Sequence, residues 1–255
     1  MTYMIRLSVI VITYNEEKNL ARCLESVAGI ADELVVVDSA STDSTPAIAR
    51  SYNARFIDHP FEGYARQKMF ATAQATNDWV LSLDADEELT PALKAAILAV
   101  KNQPTCDVYR MPRLTNYCGK WIKHCGWYPD YQTRLYNRTR GEWQDLKVHE
   151  YWKPAADARV GMLAADLLHY SFDTIGSHLN KINKYTELAA QAAAARGKTA
   201  GIAKIIFSPL WHFISEYFFR LGFLDGFYGF VICRLSAYSA FLKYTRIREY
   251  SRRQR

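Results

Sequence analysis

The chain has 255 residues, enough for one large domain or for one domain with an appendage, and 49% hydrophobic against 23% charged residues excludes disorder as its theme. The formal net charge is +6, and most of it falls in the stretch from Lys243 to Arg255, where six basic residues stand against Glu249. That stretch adjoins an aromatic, apolar segment and no stacking groove, which makes nucleic acid a poor partner.

Residues 1–13 carry an apolar run of about eight residues, which is neither a signal peptide nor a membrane span, so a cytosolic catalytic domain is expected. Leu7 to Thr13 reads as a first strand, ended by Tyr14-Asn15-Glu16-Glu17, and Asn19 to Val27 as a helix with Leu20, Leu24 and Val27 on one face. Glu33 to Asp38 is a second strand, followed by a helix from about Ser44 with Pro46 in its first turn and a short strand at Arg55-Phe56-Ile57. A helix from Tyr64 to Ala75 leads to the strand from Trp79 to Leu83, which runs into Asp84-Ala85-Asp86-Glu87-Glu88. Strands alternating with helices make successive βαβ units, hence an α/β fold with a mostly parallel sheet flanked by helices.

Three of these strands end in acids or amides, and the carboxyl edge of such a sheet is where ligands bind. Asp84 and Asp86 point to the same side of an extended chain, and two converging carboxylates suit a hard divalent ion shared with substrate phosphates. The competing reading is a solvated acidic turn before a helix that starts at Thr90-Pro91. The first βα turn has no glycine-rich phosphate loop, which disfavours a dinucleotide or P-loop site. Arg66 and Lys68 do not share a helix face; one of them can reach donor phosphates, or both lie on a solvated face. The five cysteines show no paired spacing and read as buried thiols; Cys118, His124 and Cys125 match no usual zinc spacing.

Val9 to Glu17, Val35 to Asp43 and Leu83 to Glu87 together resemble the ordered signatures of the family 2 inverting glycosyltransferases of GT-A fold, over roughly residues 5–170. The resemblance implies a nucleotide-sugar donor, usually a UDP-sugar, with Mg²⁺ or Mn²⁺. It implies that Thr13, Asn15, Glu16 and Asp38 line the nucleoside, that Asp84 faces the ribose or donor sugar, and that Asp86 holds the metal. Where the family usually has proline before Thr13-Tyr14-Asn15-Glu16, this chain has Ile12.

Pro129 to Asn137 reads as a strand of alternating character, with Lys147-Val148-His149-Glu150 after a turn at Arg140-Gly141. Inverting transfer needs a carboxylate to take the acceptor proton and a cation for the leaving diphosphate. Glu150 is the candidate base, with His149 and Asp130 as substitutes and a surface salt-bridge acid as the competing reading. Val148-His149-Glu150 resembles the triplet of a subgroup that modifies lipopolysaccharide core. Arg134 is a candidate for the diphosphate or an anionic acceptor. His169 follows an apolar run and reads equally as a core residue or, by the resemblance, as a late metal ligand. The motif of processive synthases is missing, which points to one sugar per binding event.

Domain organisation is expected as a catalytic domain over 1–175, its donor half about 1–100 and its acceptor half about 101–175, and a helical region over 176–255. An alanine-rich helix, Thr186 to Arg196, ends at Gly197. Ile202 to Leu221 follows, with a narrow polar stripe on an apolar body, and Pro209 is expected to kink or restart it. Phe223 to Leu242 is interrupted by Asp225 and Arg234, so neither segment is a clean bilayer span. An amphipathic helical appendage lying on an anionic inner leaflet is expected, against a helical hairpin packed on protein with a solvated basic tail. Phe219 to Gly226 resembles the corresponding segment of lipopolysaccharide inner-core β-glucosyltransferases acting on heptose.

These readings combine into a peripheral enzyme on the cytoplasmic face of the inner membrane. It would move one sugar, UDP-glucose being the first donor to consider, to a lipid-linked glycan acceptor such as inner-core heptose. The rivals are a polyprenyl-phosphate sugar synthase and a non-catalytic nucleotide-sugar binding module at the membrane; the oligomeric state is left open.

Overall fold

The computed structural model describes residues 4–144 and 151–253. Along them run β1 (Leu7–Thr13), α1 (Leu20–Ser26), β2 (Glu33–Asp38), α2 (Thr45–Ser51), β3 (Arg55–Asp58), α3 (Tyr64–Gln74) and β4 (Trp79–Asp84). Next come β5 (Glu87–Leu89), α4 (Pro91–Asn102), β6 (Val108–Tyr117), β7 (Lys120–Ile122) and β8 (Asp130–Asn137). They are followed by β9 (Gly141–Gln144), β10 (Tyr151–Pro154), β11 (Val160–Met162) and β12 (Leu167–Phe172), and then by α5 (Ile175–Ala195), α6 (Ile202–Ile214) and α7 (Gly226–Arg253). The chain divides into two compact units, Met1–Arg113 with Asp130–Tyr170, and Leu114–Pro129 with Ser171–Arg255. Residues 114–129, assigned from sequence to the acceptor half, thus fall with the C-terminal helices.

In the first unit the strands lie in the order β3-β2-β1-β4-β8-β6-β12-β5, with β11 beside β6. β1 pairs in parallel with β2 and β4, as the βαβ pattern requires, whereas β8 runs antiparallel to β4 and to β6. All seven residues of β1 are buried, which is why the strand reads as an unbroken apolar run. Alternate residues serve opposite faces: Leu7, Val9 and Val11 pack with Leu20, Leu24, Leu93 and Ile97, while Ile10 and Ile12 pack with Ala71 and Ala75. The register sets Thr13 opposite Asp38 and Ile12 opposite Asp84, so the ends of β2, β1 and β4 share one rim. Thr90 caps α4 by accepting from the Leu93 N–H at 3.1 Å, so the acids before it are not the cap.

In the second unit Tyr117, Ile122 and Cys125 are buried with Ile232 and Cys233 of α7. Asp225, 3% exposed, accepts from the backbone N–H of His124 at 2.8 Å and lies 3.1 Å from its Nδ1. A Cβ on Gly229 would collide with the Gly222 carbonyl, so the turn before α7 packs directly on that helix. The alanine-rich helix is longer than its composition suggests: α5 starts at Ile175, where Thr174 and Ser177 form a capping box. α6 runs through Pro209 without restarting and ends in a π-helical turn, Ser215–Phe219. The basic end of α7 is tied to α5: Arg246 lies 3.3 Å from the Glu187 carboxylate and donates to the Asn183 carbonyl at 2.9 Å. Arg248 donates to the Ala200 carbonyl. Among the described residues no helix is long and apolar enough to cross a membrane.

Candidate active site

The acids after β4 are drawn into a buried ionic cluster. Arg134, on β8 and 2% exposed, donates through one terminal nitrogen to Asp84 Oδ2 and to Glu87 Oε1, each at 2.5 Å. Lys68 of α3, also 2% exposed, lies 3.0 Å from Asp84 Oδ1. Arg113 reaches Glu87 at 3.3 Å and Asp130 at 2.7 Å, and Glu87 also accepts the Asp84 N–H at 3.1 Å. Burial alone would raise the Asp84 carboxyl, but Arg134 and then Lys68 outweigh it and hold the group far below the usual carboxylate range. Burial would lower the Arg134 guanidinium; the Asp84 and Glu87 carboxylates push it above its ordinary value, so it stays charged. Buried ion clusters contribute less to stability than well-packed apolar residues would, so a cluster of this kind at the carboxyl edge of the sheet points to function.

Beside the cluster opens a cavity of about 570 Å³, walled by Lys68, Asp84, Arg113 and Arg134 on the charged side and by Tyr131 and Trp152 among its rings. Arg110 adds a further cation to its wall. Tyr136 stacks on Trp152 with ring centroids 3.8 Å apart, and the Trp143 indole N–H donates to Thr72 Oγ1 and to the Tyr136 hydroxyl, which fixes the aromatic side.

Asp86 lies in the turn between β4 and β5. β12 pairs antiparallel to β5 with His169 opposite Glu87, and this brings the His169 Nε2 to 3.3 Å from Asp86 Oδ2. Among the described residues no group of three or more His, Cys, Asp or Glu side chains converges into an all-protein metal cage. One carboxylate and one imidazole would hold a divalent ion only in part, which fits a hard cation that takes its remaining ligands from outside the protein.

The glycosyl transferase family 2 pattern matches residues 8–167 of this chain. The chain belongs to glycosyltransferase family 2. The lipopolysaccharide core biosynthesis glycosyltransferase LpsC of Rhizobium meliloti is 34% identical over 94% of this chain and 91% of its own length. An uncharacterized glycosyltransferase of Rickettsia typhi is 33% identical over 98% of this chain and 89% of its own. Among solved structures, the mannosyltransferase PcManGT of Pyrobaculum calidifontis, determined in complex with GDP-Man and Mn²⁺, covers 94% of this chain and 74% of that one at a TM-score of 0.51 and 21% identity. That likeness shows the GT-A fold expected from the sequence.

In this family 2 glycosyltransferase the loops after β1 and β2 are joined to each other. The Asn15 N–H donates to Ser41 Oγ at 2.7 Å, Asn15 Oδ1 accepts from the Thr42 N–H at 2.9 Å, and the Glu16 N–H donates to Thr45 Oγ1 at 2.8 Å. The Asp38 carboxylate accepts both the backbone N–H and the hydroxyl of Ser41. Asn15 and Ala40 adopt left-handed backbone at φ 53° and 60° to make these turns. Asn15, Glu16 and Asp38 therefore spend part of their hydrogen-bonding capacity on loop structure. Thr13 differs: its Oγ1 is buried and has no hydrogen-bond partner among the described residues, which suits a ligand group at this rim.

Glu150 and His149, the candidates for the base, lie outside the described residues. Asp130, the substitute, is taken up by Arg113 and Gln132. Of the two cations on α3, Lys68 enters the cluster, whereas Arg66 is exposed and pairs with Glu62 at 3.4 Å. Sequence reasoning did not single out Glu87 or Arg113. Glu87 stood in the acidic run but was passed over for Asp84 and Asp86. Arg113 carried no signal in the sequence, where the strand β6 that holds it was not read. Cys23 is a core thiol whose burial pushes its pKa up, so it is no nucleophile.

Proposed function

We propose that this glycosyltransferase moves one sugar, with inversion, from a nucleotide-sugar donor to a lipid-linked acceptor, with UDP-glucose and inner-core heptose as the first pair to test. The observation that carries the reading is the shared rim: Thr13, Asp38 and Asp84 end three adjacent strands, and the Asp84–Arg134–Lys68 cluster joins that rim to a cavity of about 570 Å³. The lipopolysaccharide core assignment of LpsC supports the acceptor class, and the GDP-Man and Mn²⁺ bound to PcManGT support the donor class and the ion. A peripheral place at the cytoplasmic face of the inner membrane follows from such an acceptor.

In this reading Thr13, Asn15, Glu16 and Asp38 hold the nucleoside, with the Thr13 hydroxyl supplying a hydrogen bond that the described residues leave open. Asp84 is kept ionised and fixed by Arg134 and Lys68, so it accepts a sugar hydroxyl without rearranging. Lys68, Arg110, Arg113 and Arg134 give the cavity a positive wall for anionic groups. Asp86 and His169 hold Mg²⁺ or Mn²⁺, which when bound neutralises charge on the leaving diphosphate. Glu150 takes the acceptor proton as the new bond forms.

The test is a screen of UDP-, GDP- and dTDP-sugars for hydrolysis and for transfer to truncated lipopolysaccharide or to polyprenyl phosphate, each with and without chelator. Turnover of a UDP-sugar that chelator abolishes, and transfer to the lipopolysaccharide, are expected. Turnover unaffected by chelator sinks the metal assignment, and transfer to polyprenyl phosphate alone sinks the acceptor. Glu150→Gln should lower turnover by about a hundredfold or more with donor binding unchanged; wild-type turnover removes Glu150 as the base.

A further inference from the structure

The second unit exposes an apolar face that its own fold does not cover. Along α6, the π-helical turn and the start of α7, Phe207, Trp211, Phe219 and Phe227 are 66%, 62%, 71% and 68% exposed. Between α6 and α7 lies an open groove of about 290 Å³, lined by side chains such as Ile206, Leu210, Tyr238 and Phe241 together with Arg234. Contiguous apolar surface on this scale marks an interaction site.

The charges around it identify the partner. From residue 197 to 248 the sequence has only two acids, Glu216 and Asp225. Asp225 is buried against His124, and the Glu216 carboxylate lies 3.7 Å from His212 with its side chain 15% exposed. Lys198, Lys204, Arg220 and Arg234 are all exposed, so among the described residues of 197–248 every exposed formal charge is positive. A second copy of the chain fits this face badly. A two-fold contact would set cations against cations, with only the half-buried Glu216 carboxylate beside His212 to offset them. An anionic bilayer fits it, because rings enter the acyl boundary while cations meet lipid phosphate.

We propose that this face is the membrane-contacting surface of the chain, occupied by a bilayer containing anionic phospholipid, with Arg234 taking a lipid phosphate beside the α6–α7 groove. The inference rests on the reading of a lipid-linked acceptor. It moves the main contact away from the basic terminal stretch, where Arg246 and Arg248 are engaged by α5 and by the Ala200 carbonyl.

The experiment is co-sedimentation of the full chain with vesicles of phosphatidylcholine alone or of phosphatidylcholine and phosphatidylglycerol in equal parts. The wild type should bind the mixed vesicles. Phe219→Ser with Phe227→Ser should lower the partition coefficient by about tenfold or more. Lys204→Gln with Arg234→Gln should lower it by about fivefold per charge on mixed vesicles and leave binding to phosphatidylcholine unchanged. These side chains are exposed, so the variants should melt with the wild type; quenching of fluorescence by brominated lipid reads insertion of Trp211 in the Trp211-containing wild type against Trp211→Ser without altering the rest of the face. Variants that bind as the wild type does overturn the proposal, as does a concentration-dependent dimer that Phe219→Ser with Phe227→Ser dissolves. Metal-dependent donor turnover without vesicle binding overturns this surface and leaves the transferase reading standing. Vesicle binding without donor turnover supports the surface and sinks that reading.

Discussion

Replacing Arg134 with methionine keeps most of the buried volume and removes the guanidinium that holds Asp84 and Glu87, each at 2.5 Å. Breaking a buried pair by removing one partner costs about 3–5 kcal/mol, because the remaining charge is left uncompensated. Here the loss is partly offset, since Lys68 stays 3.0 Å from Asp84 and Arg113 stays 3.3 Å from Glu87. The lower end, about 3 kcal/mol, is therefore expected. For a chain of this size that corresponds to a fall in Tm of roughly 6–12 °C. The assay is a thermal melt of Arg134→Met beside the wild type, followed by donor titration below both transitions. Arg134→Leu serves as a second apolar replacement that reports whether the choice of side chain matters. A variant that melts with the wild type while losing donor affinity would refute the reasoning, because the guanidinium would then be a ligand of the donor and not the clamp on the two carboxylates.

Asp86→Asn and His169→Gln should each raise the Mn²⁺ concentration needed for half-maximal turnover and lower kcat by about a hundredfold; a Mn²⁺ titration of turnover checks this, and unchanged midpoints dismiss the pair as ligands. Lys68→Met should lower kcat/KM by about tenfold or more, since a buried cation on the cavity wall is lost, whereas Arg66→Ala should leave it unchanged. Steady-state kinetics of the two variants side by side decide between them. His178 tests a different part of the molecule, where its Nδ1 lies 3.1 Å from the Tyr117 hydroxyl and burial pushes the imidazole down to about 4. The unfolded imidazole, near 6.5, takes up a proton that the folded one refuses, so stability should decline as pH falls from about 6.5 towards 4. Melts of His178→Phe over the same range should show a shallower decline, and an identical decline would remove His178 as a source of it.

The rim shared by the ends of β1, β2 and β4 was readable because two independent signals coincided on it. Strands buried on both faces are written as unbroken apolar runs, and their ends carried Asn15, Asp38 and Asp84. The cluster was less readable, because nothing local marks a buried lysine: Lys68 is inside where Asp84, sixteen residues on, accepts from it. Glu87 was obscured for a related reason. Its neighbours in the acidic run looked equivalent to it, and only pairing with Arg134 and Arg113 sets it apart. The placement of 114–129 with the C-terminal helices depends on Tyr117 and Cys125 meeting Ile232 and Cys233, contacts more than a hundred residues apart for which no periodicity speaks. Arg234, which interrupts the apolar segment in the sequence, lies on the exposed side of a helix that continues to Arg253.

The antiparallel pairing of β12 with β5 has a bearing on biosynthesis. Asp86 leaves the ribosome more than eighty residues ahead of His169, and the strand that carries His169 is also the one hydrogen-bonded along β5. Until that late strand docks, the nascent chain presents an open sheet margin and only the carboxylate of the pair. Translation products that stop short of it should be inert towards donor, and aggregation-prone for the same geometric cause.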